Sequence, residues 1–324
     1  VVNQYESVVK KIRRSRGAKL LPISLPNPCS MLRRYIYPLF YRKRFYASVV
    51  LFGFLAYTYD LVEVRLTDDT MIRKLEENAF AYVPKVTHFR QWGREMRYVQ
   101  LGDVSKPLIL FIHGAPASSS FWMGMLSDST LLAHAKLMAV DRPGYGYSGY
   151  GQPEISVKKQ AALIAGILKE KRLIHQKIII HGSSYGGTVA ARLAMDYPEL
   201  VDGLLLQSAS LKPGAETTYW ISYPTHHWSL RNFIPGSFRT ANAEKLSHKA
   251  QLQKMVPLWS RIRSKVIVLQ GKDDTLIFPE NATFAIQKLT KAASASLTLV
   301  PGSKHDLLWT QRALLVRSLL KLTD

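Results

Sequence analysis

The chain is poor in cysteine and in acid. One cysteine, Cys29, stands among 324 residues, which excludes an internal disulfide and a thiolate metal centre but does not identify a redox compartment. Asp and Glu number 23 against 44 Lys and Arg, a formal net charge of +21. Residues 1 to 63 hold 11 of the basic and 3 of the acidic residues, so +13 stays on the remainder. A cationic surface of that kind is compatible with an anionic membrane surface. No nucleic-acid-binding motif accompanies it, and nucleic acid is not expected as a partner. Internal repeats and low-complexity linkers are also missing. A chain of this length accommodates one domain of about 240 residues with a sizeable core, plus a tail.

What is present begins with Lys177-Ile178-Ile179-Ile180-His181-Gly182-Ser183-Ser184-Tyr185-Gly186-Gly187, an apolar strand running into G-x-S-x-G and then into a helix. This is the pattern of a nucleophile elbow: the serine sits on a strained strand-to-helix turn, and small residues two positions either side let strand and helix pass. Ser184 is the expected nucleophile. The helix that starts at its C-terminal side brings free amides and a positive dipole end to the place where an oxyanion would form. The pentapeptide alone is a weak signal, and the flanking elements strengthen it.

A serine at neutral pH needs a histidine base and an acid that orients it, in the order serine, acid, histidine for this architecture. Downstream, the strand Lys265 to Gln270 leads into Gly271-Lys272-Asp273-Asp274, and either carboxylate is a candidate acid. The last short strand, Leu297 to Val300, leads into Pro301-Gly302-Ser303-Lys304-His305, and His305 is the candidate base. Each alone reads as ordinary turn chemistry or a solvated loop histidine. Together and in order they form a constellation. Upstream, the strand Pro107 to Ile112 ends in His113-Gly114-Ala115-Pro116, a turn expected to supply a second oxyanion donor. The amides of Ala115 and Tyr185 would then converge on the developing charge. The loop Asp141 to Gly149 reads as structural, with Asp141 and Arg142 pinning it.

These pieces resemble the α/β-hydrolase superfamily from about Tyr82 to the C-terminus. The resemblance rests on HG-x-P at His113 to Pro116, DRPGYGYSG at Asp141 to Gly149, the elbow at Gly182 to Gly186, G-x-x-D at Gly271 to Asp274 and G-x-x-H at Gly302 to His305. It implies Asp274 rather than Asp273 as the acid. In relatives that cleave epoxides or carbon–halogen bonds the elbow carries aspartate, so Ser184 argues for ester-type acyl transfer. Neither the lipase-type HGGG run nor the HGGPG turn of proline iminopeptidases occurs. The implied activity is a serine carboxylic-ester hydrolase working through an acyl-enzyme on a small-molecule ester with an apolar acyl group. No cofactor or metal is needed. A thioesterase, amidase or acyltransferase would use the same triad, and a catalytically silent binding protein on this fold is the alternative outside enzymes.

The expected fold is α/β: a mainly parallel, doubly wound sheet of the α/β-hydrolase type with a small cap insertion and an N-terminal apolar helix. Continuous apolar runs alternating with amphipathic stretches carry the sheet. Ile155 to Lys171 and Asp306 to Leu322 are expected helices, and a hairpin about Gly93 is the expected antiparallel edge. An irregular stretch with Pro213, Pro224, Pro235 and Pro257 lies at 211–264 and is placed like a cap. Of its aromatics, Tyr219, Trp220, Tyr223, Trp228, Phe233, Phe238 and Trp259 are candidates to line a substrate site or to pack the cap. His226 and His227 read as surface residues, with no metal-ligand partners.

The organisation expected is a basic tail at 1–44, an anchor helix at 45–63 and the hydrolase domain at 64–324. Through Arg44 there are eleven basic residues against Glu6 alone, and Phe45 to Tyr59 follows without a charge. Fifteen residues are short of the roughly 20 a span requires, although Arg42, Lys43 and Arg44 can snorkel and the tyrosines can sit at an interface. A cleaved signal is disfavoured by the long basic region and the lack of an A-x-A site. A helix buried against the domain is the other reading. The expectation is an uncleaved single-pass membrane anchor, its basic tail cytoplasmic and the hydrolase on the opposite side.

Overall fold

Strand Leu108–Ile112 is a run of five apolar residues, all buried, and it sits near the middle of an eight-stranded sheet. The computed structural model describes residues 43–59, 65–78, 82–220, 222–228, 230–231 and 234–324. In chain order the strands are β1 (Lys85–Gln91), β2 (Arg94–Leu101), β3 (Leu108–Ile112), β4 (Lys136–Asp141), β5 (Ile178–Ser183), β6 (Gly203–Gln207), β7 (Lys265–Gly271) and β8 (Ser294–Val300). Their spatial order is β1-β2-β4-β3-β5-β6-β7-β8. The β1/β2 and β2/β4 pairs are antiparallel and the five pairs from β4 to β8 are parallel. The expected hairpin edge is present, turning at Trp92 and Gly93, both at positive φ.

Parallel strands covered on both faces are apolar at every position, because successive side chains enter opposite cores. Leu108, Leu110, Ile112, Ile178 and Ile180 join one apolar cluster, while Ile109, Phe111 and Ile179 join the other. The first cluster is closed by the helices Val157–Arg172, with Ala161, Ile164 and Leu168, and Tyr185–Asp196, with Val189 and Leu193. Ser156 caps the former, accepting from the Lys159 amide. The second cluster is closed by Asp68–Asn78, through Met71 and Leu75, and by Arg312–Thr323, through Leu315 and Leu319. The C-terminal helix expected as one piece is two, Leu307–Thr310 and Arg312–Thr323, interrupted at Gln311.

In chain order the helices are α1 (Lys43–Tyr59), α2 (Asp68–Asn78), α3 (Met123–Leu126), α4 (Ser129–His134), α5 (Val157–Arg172), α6 (Tyr185–Asp196), α7 (Ser222–His226), α8 (Gly236–Met255), α9 (Glu280–Lys288), α10 (Leu307–Thr310) and α11 (Arg312–Thr323). The stretch between β6 and β7, expected to be irregular, contains the 20-residue α8. Of its aromatics, Trp259 is buried in the core and Trp220, Tyr223 and Trp228 are exposed. Phe233 lies outside the described residues.

The membrane anchor is overturned. Among the described residues no helix is long and apolar enough to cross a membrane. Helix α1 has 17 residues, about 25 Å at 1.5 Å per residue, against a hydrocarbon core of about 30 Å. With the span goes the single-pass location and the orientation inferred from the basic tail. The N-terminal apolar helix expected as part of the fold is not supported either. Most of residues 1–44 and all of 60–63 lie outside the described residues, and α1 straddles the division between two units, Val1–Phe52 and Gly53–Asp324.

Candidate active site

Open parallel sheets form ligand sites beyond the carboxyl ends of their strands, where the loops leave. The residues expected to carry the chemistry lie there: Ala115 after β3, Ser184 and Tyr185 after β5, Asp274 after β7 and His305 after β8.

Ser184 joins β5 to α6 with φ 55° and ψ −124°, a left-handed backbone that costs a non-glycine residue about 1–3 kcal/mol and persists only where the surroundings impose it. The two flanking glycines permit it. A Cβ at Gly182 would lie 2.6 Å from the Gly186 carbonyl oxygen, and one at Gly186 would collide with the carbonyl oxygens of Ile112 and His113. The elbow therefore presses against the end of β3. That contact brings Gly114 against Ser184, where an added Cβ would stand 3.0 Å from the serine Cβ. As the first residue of α6, Tyr185 has an amide with no intrahelical acceptor. Ala115 and Tyr185 line one cavity together with Ser184.

His305 Nδ1 lies 2.8 Å from Asp274 Oδ2. The other Asp274 oxygen accepts from the amides of Leu276 and Ile277, each at 2.9 Å, and Gln270 Nε2 donates to Oδ2 at 3.1 Å. Burial pushes the Asp274 pKa up, but the hydrogen bond and charge of His305 and the two amides outweigh it, and the group ends below the usual carboxylate value. Asp273 is exposed, and among the described residues no hydrogen bond links it to His305. The geometry thus brings Asp274 and His305 together and leaves Asp273 aside. His305 and Ser184 line a common cavity of about 370 Å³ with Phe121 and Trp309. The neighbouring cavity, about 400 Å³, holds Ser184, Ala115 and Tyr185 with Tyr219, Phe238 and Ile277.

Beneath the Gly114–Ala115 turn is a buried polar network that sequence reading found only in part. Arg142 donates to the carbonyls of His113 at 2.8 Å and Gly114 at 3.0 Å. It also makes a bidentate pair with Glu244 of α8, at 2.6 and 3.1 Å. Tyr145 and Gln160 donate to the same carboxylate. His113 is wholly buried, and desolvation with the charge of Arg142 lowers its pKa to about 3. It is thus neutral, its Nδ1 donating to the Gly114 carbonyl and its Nε2 accepting from the Arg142 amide. Asp141 accepts from the Ser119 and Tyr147 amides and from Arg97, pinning the loop as expected. Glu244 was missed. It lies about a hundred residues from its partner in a polar stretch, and no short-range signal joins the two.

A family model described as alpha/beta hydrolase fold matches residues 107–252. The chain is 32% identical over 112 residues to epoxide hydrolase 1 of Caenorhabditis elegans, covering 34% of this chain and 27% of that protein. It is 34% identical over 110 residues to the pimeloyl-[acyl-carrier protein] methyl ester esterase of Proteus mirabilis, covering 34% of this chain and 39% of that protein. The chain therefore spans about a third of the length of these curated relatives. Among solved structures, the enol-lactonase of Burkholderia xenovorans superposes with a TM-score of 0.61 at 13% identity, covering 73% of this chain and 99% of that one.

Proposed function

The chain belongs to the α/β-hydrolase superfamily, and from that premise we propose that it is a serine hydrolase that cleaves carboxylic esters through an acyl-enzyme. One observation carries the reading: a strained serine at the mouth of the sheet shares a cavity with a histidine whose far nitrogen is held by a buried carboxylate. Ser184 attacks the ester carbonyl, His305 takes its proton and later gives it to the leaving alcohol, and Asp274 holds the imidazole in the required tautomer. The oxyanion is bound by the amides of Ala115 and Tyr185.

The two cavities divide the substrate. The leaving oxygen must be reached by the histidine, so the alcohol occupies the cavity lined by His305. The acyl group takes the other, whose walls include Phe238, Ile277 and Ala241. Helix α8 supplies part of those walls, which supports the segment at 211–264 as a cap that roofs the serine and excludes water. An epoxide hydrolase reading, suggested by one relative's name, is disfavoured by Ser184, since the resemblance gives that chemistry to an aspartate at the elbow.

Hydrolysis of p-nitrophenyl esters tests the proposal. Ser184→Ala should abolish turnover, and Asp274→Asn should lower kcat by about 10⁴-fold, as when a triad acid is made an amide. Asp273→Asn should stay close to wild type. A larger loss in Asp273→Asn than in Asp274→Asn would overturn the acid assignment.

A further inference from the structure

The cavity taken for the acyl group is lined mainly by apolar side chains, yet it also holds a partly buried pair of opposite charges. Lys245 of α8 places Nζ 2.9 Å from Glu216 Oε1, with the two side chains only 21% and 9% exposed. Both line the cavity that contains Ser184. Glu216 is fixed from two further directions. Its backbone bridges that of Ile277, and its Oε2 accepts from the Ser210 hydroxyl at 2.7 Å. Having donated its proton, that hydroxyl accepts from His248 Nε2 at 3.0 Å. The carboxylate is thus a positioned acceptor rather than a mobile one. Lys245 has three donor protons and only one is needed for Glu216.

A wholly hydrocarbon chain filling this space would strip water from the pair and offer nothing in return, which is unfavourable for buried polar groups. A carboxylate on the chain would accept from Lys245 but meet the like charge of Glu216, and an ammonium would meet Lys245. A hydroxyl avoids both conflicts, because it donates and accepts at once. Resting on the serine-hydrolase reading, we infer that the Lys245–Glu216 pair is a substrate-recognition subsite for a neutral hydroxyl carried on the acyl chain, the hydroxyl donating to Glu216 and accepting from Lys245.

The test compares kcat/KM for p-nitrophenyl esters of hexanoic, octanoic and decanoic acids with those of their terminal-hydroxy and terminal-carboxylate counterparts. At one chain length the hydroxy ester should exceed its parent by about tenfold, the lower end of what a hydrogen bond to a charged group contributes. The carboxylate ester should fall below the hydroxy ester at that length. Lys245→Met and Glu216→Leu should each bring the hydroxy-to-parent ratio to one or below. A wild-type ratio of one or less at every length, a preference for the carboxylate, or a ratio that both variants leave unchanged would overturn the subsite. Should the variants fail to fold, the wild-type ratio alone decides. Labelling of the wild type with a fluorophosphonate runs in parallel. If Ser184 is labelled and the parent esters are cleaved without a hydroxyl preference, the subsite falls and the hydrolase reading stands. If neither labelling nor cleavage occurs, both fall.

Discussion

Replacing Glu244 by glutamine removes one charge and almost no volume from the centre of the buried network. In the native protein Glu244 and Arg142 are both fully buried, and Glu244 neutralises a guanidinium that also holds the carbonyls of His113 and Gly114. Glutamine offers one acceptor oxygen where the carboxylate serves Arg142 twice, Tyr145 and Gln160. Its amide protons would face donors. Removing one partner of a buried pair costs about 3–5 kcal/mol, because the remaining charge stays desolvated and unmatched. For a domain of this size that corresponds to a fall in Tm of about 10 °C, read by far-UV circular dichroism. The loss comes from an unmatched charge, so Arg142→Met combined with Glu244→Met should melt higher than Glu244→Gln alone. The double variant should still react more slowly with a fluorophosphonate, since the Gly114–Ala115 turn has lost the donor that braces it. A Glu244→Gln protein melting within 2 °C of wild type would refute the reasoning. So would a double variant no better than the single one.

Two further outcomes follow from the interior. His113 and His181 have pKa values lowered to about 3, and His248 to about 4, in each case chiefly by burial. Below about pH 6.5 the unfolded chain takes up protons that the folded one refuses, so stability falls as pH drops, by about 1.4 kcal/mol per pH unit for each histidine and about 4 for the three. Urea midpoints should therefore fall steeply between pH 6.5 and pH 4.5, and a flat profile would contradict the burial of these rings. Gly186→Ala places a methyl against the carbonyl oxygens of Ile112 and His113. It should yield insoluble or non-labelling protein, while Gly302→Ala, whose Cβ would meet open space, should label normally with a modest loss of stability from its positive φ.

The parts legible in the sequence are those whose physics is local. β3 shows as an unbroken apolar run, and β5 as the run Ile178 to Ile180 that opens it, because both faces of these strands are buried. The elbow shows because close approach of two backbones permits only glycine at 182 and 186. Helix α8 was illegible for the opposite reason. Its buried residues include Thr240, Glu244, His248 and Leu252, four apart, so the stripe exists but is mostly polar and does not register as hydrophobic periodicity. Its partners Arg142 and Ser210 lie far away in sequence. Helix α2 escaped notice because Met71 and Leu75 alone mark its inner face. β8 begins at Ser294, three residues earlier than its apolar run suggests, since an exposed edge strand needs ladder bonds and little hydrophobicity. The anchor was misread because snorkelling basic residues and interfacial tyrosines were taken to make up the length that the fifteen-residue run lacks, and among the described residues no helix is long and apolar enough to cross a membrane.

The central claim is that Ser184 is a nucleophile activated by His305 and Asp274. Peptide mapping by mass spectrometry after reaction with a fluorophosphonate tests it most directly. A single phosphonyl adduct is expected on the peptide containing the elbow, located at Ser184, and it should disappear in His305→Ala with the fold retained. An adduct on Ser183, an adduct indifferent to His305, or no adduct on folded protein would contradict it.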